Sequence, residues 1–166
     1  MRRPLITLTV IACAVSLMTS GRLTLRIVAP AMVYWSFIPL LEIASLAIVC
    51  RGRPAELSFS RKVDLFFRNQ WPPLLWLVLF AAVWAFLPAP AVIPWWSKRW
   101  LQDLSAAAAL AWSARLDYGF FRYTLKRTPR QAALELSAQR LLSWIPAILI
   151  FVGPAAWQLI ASELGL

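Results

Sequence analysis

The sequence contains no histidine. That removes the commonest general base, the usual axial haem ligand and the commonest zinc or copper ligand. Cysteine is nearly absent as well. Cys13 and Cys50 stand in or beside apolar runs with no CxxC spacing, and both read as small buried hydrophobes. The glycines Gly21, Gly52, Gly119, Gly153 and Gly165 are isolated, so there is no phosphate-cradling glycine loop. No serine lies in a GxSxG setting, and without histidine an ordinary catalytic triad is excluded. The sequence therefore provides for neither a metal nor a cofactor.

Acidic residues are scarce, 7 against 17 Lys and Arg, for a formal net charge of +10. In a soluble protein that balance would point to nucleic acid. Here the basic residues collect at the ends of apolar runs, where membrane topology and anionic headgroups call for them, and nucleic acid is not expected as a partner. Long hydrophilic stretches are missing too; none exceeds about twenty residues, too short for a separate soluble domain. What remains is apolar: 61% of residues are hydrophobic and the mean hydropathy is +0.67. The fold class expected is all-α, a polytopic helical membrane protein forming one integral domain over residues 1–166.

Five spans are expected, at about residues 5–20, 27–50, 72–93, 101–121 and 141–162. The first, after Met1-Arg2-Arg3, reads as a retained short helix, although a basic start before a brief apolar core also fits a cleaved signal peptide. Pro39 should kink the second span, with Glu42 just past the kink. Segments 51–71 and 122–140 are expected to form two cytoplasmic amphipathic helices in the headgroups. In the first of them Phe59, Val63, Phe66 and Phe67 share a face, and Arg61, Lys62 and Arg68 point mostly away from it. In the second, Thr128, Pro129 and Gln131 form a helix start with a capping box, and the helix should continue into the last span. Trp71, Trp95, Trp96, Trp100, Trp144 and Trp157 mark membrane interfaces. Arg61, Lys62, Arg68, Arg127 and Arg130 are the expected contacts to anionic lipid headgroups.

Arginine and lysine set the direction. Arg2, Arg3, Arg51, Arg53, Arg61, Lys62, Arg68, Arg122, Lys126, Arg127, Arg130 and Arg140 fall on one side; Arg22, Arg26, Lys98 and Arg99 fall on the other. That bias places the chain in a bacterial-type inner (cytoplasmic) membrane with its N-terminus in and C-terminus out. A short echo, Glu56-Leu57-Ser58 before Arg61 and Glu135-Leu136-Ser137 before Arg140, suggests two similar units after a leading helix.

One intramembrane charge pair is expected. Arg115 lies within the fourth span, on the small-residue side of Ala107, Ala111 and Gly119, which would turn it into the bundle. Glu42 lies at about 14 Å and Arg115 at about 10 Å from the same edge, on helices of like direction. Pairing would lower the cost of burying each charge. Asp117, Tyr118 and Asp103 are secondary polar candidates, with Asp117 able to meet a tyrosine or a cytoplasmic arginine and Asp103 a helix-start residue. The expected function is a non-enzymatic membrane component, a subunit or scaffold that binds the bilayer, anionic phospholipids and other membrane proteins or itself. A small transporter or lipid- or ion-translocating unit using the Glu–Arg pair is the alternative, and a membrane-embedded lipid-modifying enzyme ranks third.

Overall fold

A computed structural model of the chain describes residues 2–51, 57–88, 94 and 98–164, with side chains as far as Ile150. Among the described residues the fold is all-helical: α1 (Arg3–Ser20), α2 (Leu25–Trp35), α3 (Phe37–Val49), α4 (Phe59–Arg68), α5 (Trp71–Phe86), α6 (Arg99–Gly119), a π-helical turn (Phe120–Thr124) and α7 (Pro129–Leu164).

The boundaries follow local chemistry. Gly21 ends α1 in the left-handed conformation at φ 65°, where glycine carries no Cβ penalty. Ser16 Oγ then donates to Arg22 O at 2.9 Å and accepts from Thr24 N at 3.1 Å, fastening the α1–α2 turn. The α2–α3 break falls at Ser36, one turn before Pro39. Proline cannot donate to the carbonyl four residues back, that of Trp35, and its ring crowds it. α5 stops at Phe86 because Leu87 precedes Pro88 and is extended (φ −91°, ψ 142°), so the third helix is shorter than the 72–93 run. The capping box forms as expected: Thr128 N donates to Gln131 Oε1 at 3.2 Å and Gln131 N to Thr128 Oγ1 at 3.3 Å. The helix it starts runs without a break into the last apolar stretch. Thr128→Ala should destabilise the fold by about 1 kcal/mol in reversible unfolding, and Thr128→Ser by much less.

Three helical stretches are long and apolar enough to cross a membrane: α1, α2 with α3, and the first part of α7. The count rises to four if α4 and α5, bent by 46° at their junction, act as one span. α6 has the length but not the composition, because Asp103, Arg115 and Asp117 interrupt it.

Relative directions are fixed by side chains. Asn69 Nδ2 donates to Leu116 O at 3.1 Å, Trp71 meets Trp112 edge-on at 4.7 Å, and Trp76 Nε1 donates to Ser105 Oγ at 3.0 Å, so α5 and α6 run antiparallel. α3 and α7 are antiparallel as well: Ile38 and Leu41 line one hollow with Ala147 and Ile148, Glu42 stands opposite Gln139, and Leu46 and Cys50 share a cluster with Ala132. The backbone amide of Arg3 donates to Asp64 Oδ1 at 3.4 Å, which puts the start of α1 beside α4.

The core lies at one end of the bundle. Leu46 and Cys50 from the end of α3, Val63, Phe66 and Phe67 from α4, Phe120 and Phe121 from the π-turn, and Ala132 of α7 form one buried cluster. The π-turn closes with Leu125 N donating to Phe120 O at 3.0 Å, and both of its phenylalanines face inward. This corrects the expectation for α4. Its apolar face is real, but it is enclosed by α3 and the phenylalanine pair instead of by lipid headgroups. Full enclosure supplies close dispersion contacts on every side, which a headgroup layer cannot match. Lys62, expected among the headgroups, is buried. Glu56 of the echo lies outside the described residues; among those described, its serines differ, since Ser58 Oγ accepts from Arg61 N at 3.4 Å to start α4, whereas Ser137 is exposed in mid-helix.

Candidate functional site

The polar residues of the bundle converge on Arg140, about three turns into α7 and just before its apolar stretch. The Arg140 Nη2 group donates to Asp117 Oδ2 of α6, and also to Ser113 Oγ at 3.2 Å. Its Nη1 lies 3.8 Å from Glu42 Oε1 of α3. The guanidinium also lies 5.4 Å from the centre of the Trp144 ring, a cation–π distance. One cation thus bridges two carboxylates from two other helices.

Amides and hydroxyls complete the cluster. Gln139 Nε2 donates to Glu42 Oε2 and to Ser45 Oγ, the latter at 3.3 Å, while Ser45 Oγ donates to the Glu42 carbonyl at 3.0 Å. On the other flank Ser113 Oγ donates to Gln70 Oε1 at 3.3 Å. Asp117, Ser113, Ser45, Gln139 and Glu42 are all buried, and Asp117 is fully so. Charges in such a place are tolerable only when paired and hydrogen-bonded. Beside the cluster lies a cavity of about 300 Å³ whose wall takes residues from α1, α3, α5, α6 and α7, including Glu42, Gln70, Leu110 and Arg140.

The expected Glu42–Arg115 pair is not what forms. Glu42 meets Arg140, and Arg115 is exposed. The reason is angular. Asp117 stands two residues from Arg115, roughly 200° around the helix, so burying one exposes the other. The face that enters the bundle carries Ser113, Asp117 and Phe120, and Ala107, Ala111 and Arg115 lie outside. Asp103 is also exposed, 4.0 Å from Arg99 one turn back. Tyr118 packs against the core. Of the expected headgroup residues, Arg61, Arg68 and Arg130 are exposed, but Arg127 Nε is engaged with Glu135 at 3.2 Å. Trp71, Trp100 and Trp144 are partly exposed, while Trp95, Trp96 and Trp157 lie outside the described residues or side chains.

Sequence reasoning missed Arg140, Gln139, Gln70, Ser45 and Ser113. A signal was present. Glu135, Gln139 and Ser143 recur every four residues and are all buried, as are Ser113 and Asp117. Arg140 was hidden by its position at the end of a basic segment, where it reads as one more topology charge.

Among the described residues no three Cys, Asp or Glu side chains gather closely enough to hold a metal ion. No protein-family model, curated protein or solved structure matches the chain.

Proposed function

We propose that the chain is a non-enzymatic component of an inner membrane, a subunit or scaffold that works by packing against other membrane helices and anionic lipid. The observation that carries this reading is that the buried charges are engaged with one another: Arg140 bonds Asp117 and lies 3.8 Å from Glu42. Three helices meet at one guanidinium, the arrangement of a structural clamp. α6 then crosses as a fifth span, since pairing Asp117 inside the bundle removes the main obstacle to its burial. Arg115, near the end of that span, snorkels toward the cytoplasmic headgroups. Exposed Arg61, Arg68 and Arg130 add attraction to anionic lipid of about 1 kcal/mol each.

Two measurements test this. Reporter fusions near Arg61 and Arg130 should read as cytoplasmic, and one after Leu166 as external; the reverse would overturn the threading. Crosslinking in intact membranes, followed by native mass spectrometry of the solubilised chain, should give a species larger than the monomer. A monomer under every condition would remove the subunit reading.

A second reading, a small transporter, is favoured by one feature: Glu42 and Arg140 also line the cavity, so the cluster is not sealed. It requires proton or ion flux in proteoliposomes, followed with a trapped pH or ion dye, that Glu42→Gln abolishes. The scaffold reading expects no flux above empty vesicles.

A further inference from the structure

A second hollow lies where the last turn of α4, the first turn of α5 and the end of α6 meet. It takes no residue of the Arg140 cluster, and its volume is about 430 Å³, within the range of small-molecule sites. Leu65, Trp71 and Leu116 give it apolar wall. Arg68 and Thr124 give it polar wall, and both residues are exposed, so an occupant can reach them. Neither side chain has a hydrogen-bond or ion-pair partner among the described residues. No carboxylate is among the described residues that line the hollow. Asp64, one turn before Arg68, accepts from the Arg3 amide at the start of α1, and Asp117 is held by Arg140. Arg115, exposed and one turn before Gly119 on the same side of α6, adds a further positive charge.

Gly119 is the second observation. It lines the hollow, yet nothing inside the chain requires a glycine there. Its backbone is ordinary right-handed helix, φ −58° and ψ −40°, where alanine is the more stable residue. Beyond its own helix backbone and chain neighbours, an added Cβ would meet only Tyr123 Cδ2, at 3.9 Å, an ordinary contact. What the glycine does is leave the wall of the hollow open.

We propose that this hollow seats the phosphodiester headgroup of one anionic phospholipid. The phosphate oxygens accept from Arg68 and Thr124, the rest of the headgroup lies beside Gly119, and the acyl chains leave along Trp71 and Leu116. A guanidinium presents paired N–H donors that match phosphate oxygens. A headgroup ammonium would find no carboxylate in this wall and would sit near arginines, so a headgroup with net negative charge binds more tightly than a zwitterionic one. The inference deepens, and rests on, the reading of the chain as an inner-membrane protein that attracts anionic lipid. That threading puts the ends of α4 and α6 and the start of α5 at the level of the cytoplasmic phosphates. It replaces diffuse attraction by one built site.

The test is native mass spectrometry of the full chain in a neutral detergent, titrated with phosphatidylglycerol and, separately, with phosphatidylcholine of the same acyl chains. The first phosphatidylglycerol should bind more tightly than the first phosphatidylcholine. Arg68→Gln should weaken it roughly tenfold, the loss expected for one charge-assisted hydrogen-bonded contact. Arg61→Gln removes an exposed charge of the same helix that does not line the hollow. In detergent that charge meets no anionic bilayer surface, and its loss should change the binding by less than about twofold. Gly119→Leu, which fills the hollow, should weaken the lipid as Arg68→Gln does, whereas Gly119→Ala should raise the melting temperature. Arg68 is exposed, so Arg68→Gln keeps the test decisive if Gly119→Leu does not fold. Excess glycerol 3-phosphate should not displace the lipid; displacement would make the hollow a site for a soluble phosphate ester and overturn the lipid assignment. Lipid binding unchanged in Gly119→Leu, with self-association lost, would mean that a helix sits there, and overturns it too. Equal effects of Arg68→Gln and Arg61→Gln overturn the single site and leave the broader attraction to anionic lipid standing. A parent chain that holds both lipids equally overturns both.

Discussion

Arg140→Met should be the most damaging single substitution in the bundle, costing about 3–5 kcal/mol in reversible unfolding from mixed micelles. The guanidinium serves Asp117, which is fully buried, and Glu42, which is nearly so. Removing it leaves two carboxylates without a cation inside an apolar bundle, and each uncompensated charge is expensive. Arg115→Met is the matched control. Arg115 is exposed and has no carboxylate partner among the described residues, so the change should lie within about 0.5 kcal/mol of the parent. Equal losses from the two substitutions would mean that Arg115, too, is buried and paired. The triple change Glu42→Gln, Asp117→Asn and Arg140→Met, which leaves no buried charge of the cluster unpaired, then separates function from stability. A scaffold that is stable and still assembles with its partners uses the cluster as a clamp; one that is stable and inert uses it as a site.

The second large effect belongs to the aromatic core. Phe66 and Phe121 are completely buried, and Phe66 meets Phe120 at 5.7 Å with rings inclined at 69°. Phe66→Ala and Phe121→Ala should each cost about 3–5 kcal/mol, the range for truncating a buried aromatic side chain that cannot be replaced by collapse of its surroundings. The same substitution at Phe66 would act differently if α4 lay in headgroups. It would then weaken binding to anionic vesicles and leave unfolding nearly unchanged. Measuring both quantities on Phe66→Ala decides between a core helix and a lipid-surface helix. Loss of less than about 1 kcal/mol, joined to weaker vesicle binding, would return α4 to the surface.

What could be read from sequence was whatever depends on neighbours along the chain. Proline and glycine marked the ends of α1, α5 and the α2–α3 break, and the Thr128–Gln131 capping box formed as its residues imply. The amphipathic face of α4 was legible too, because spacing alone defines it. What covers that face was not legible, since hydrophobic periodicity is the same whether the partner is lipid or protein. The partner of Glu42 was misread for a related reason. Small residues at Ala107, Ala111 and Gly119 gave a plausible packing face, but the choice of face belongs to tertiary structure. It was settled by Asp117 and Ser113, which bond Arg140 together. Burying that polar stripe with its partner satisfies more hydrogen-bonding groups than burying the alanine stripe could. Arg140 itself lies 97 residues or more along the chain from the α3 groups it serves, as the neighbouring Gln139–Glu42 bond shows, and no local pattern announces that meeting.

The most direct measurement is a double-mutant cycle on Asp117 and Arg140, with Asp117→Asn, Arg140→Met and the pair unfolded reversibly under one set of conditions, alongside the same cycle on Glu42 and Arg115. If Arg140 is the buried hub, Asp117 and Arg140 will couple by about 1–3 kcal/mol, and the double variant will be more stable than the sum of the single losses implies. Glu42 and Arg115 will be additive within about 0.5 kcal/mol. Additive losses at Asp117 and Arg140, or coupling between Glu42 and Arg115, would contradict it.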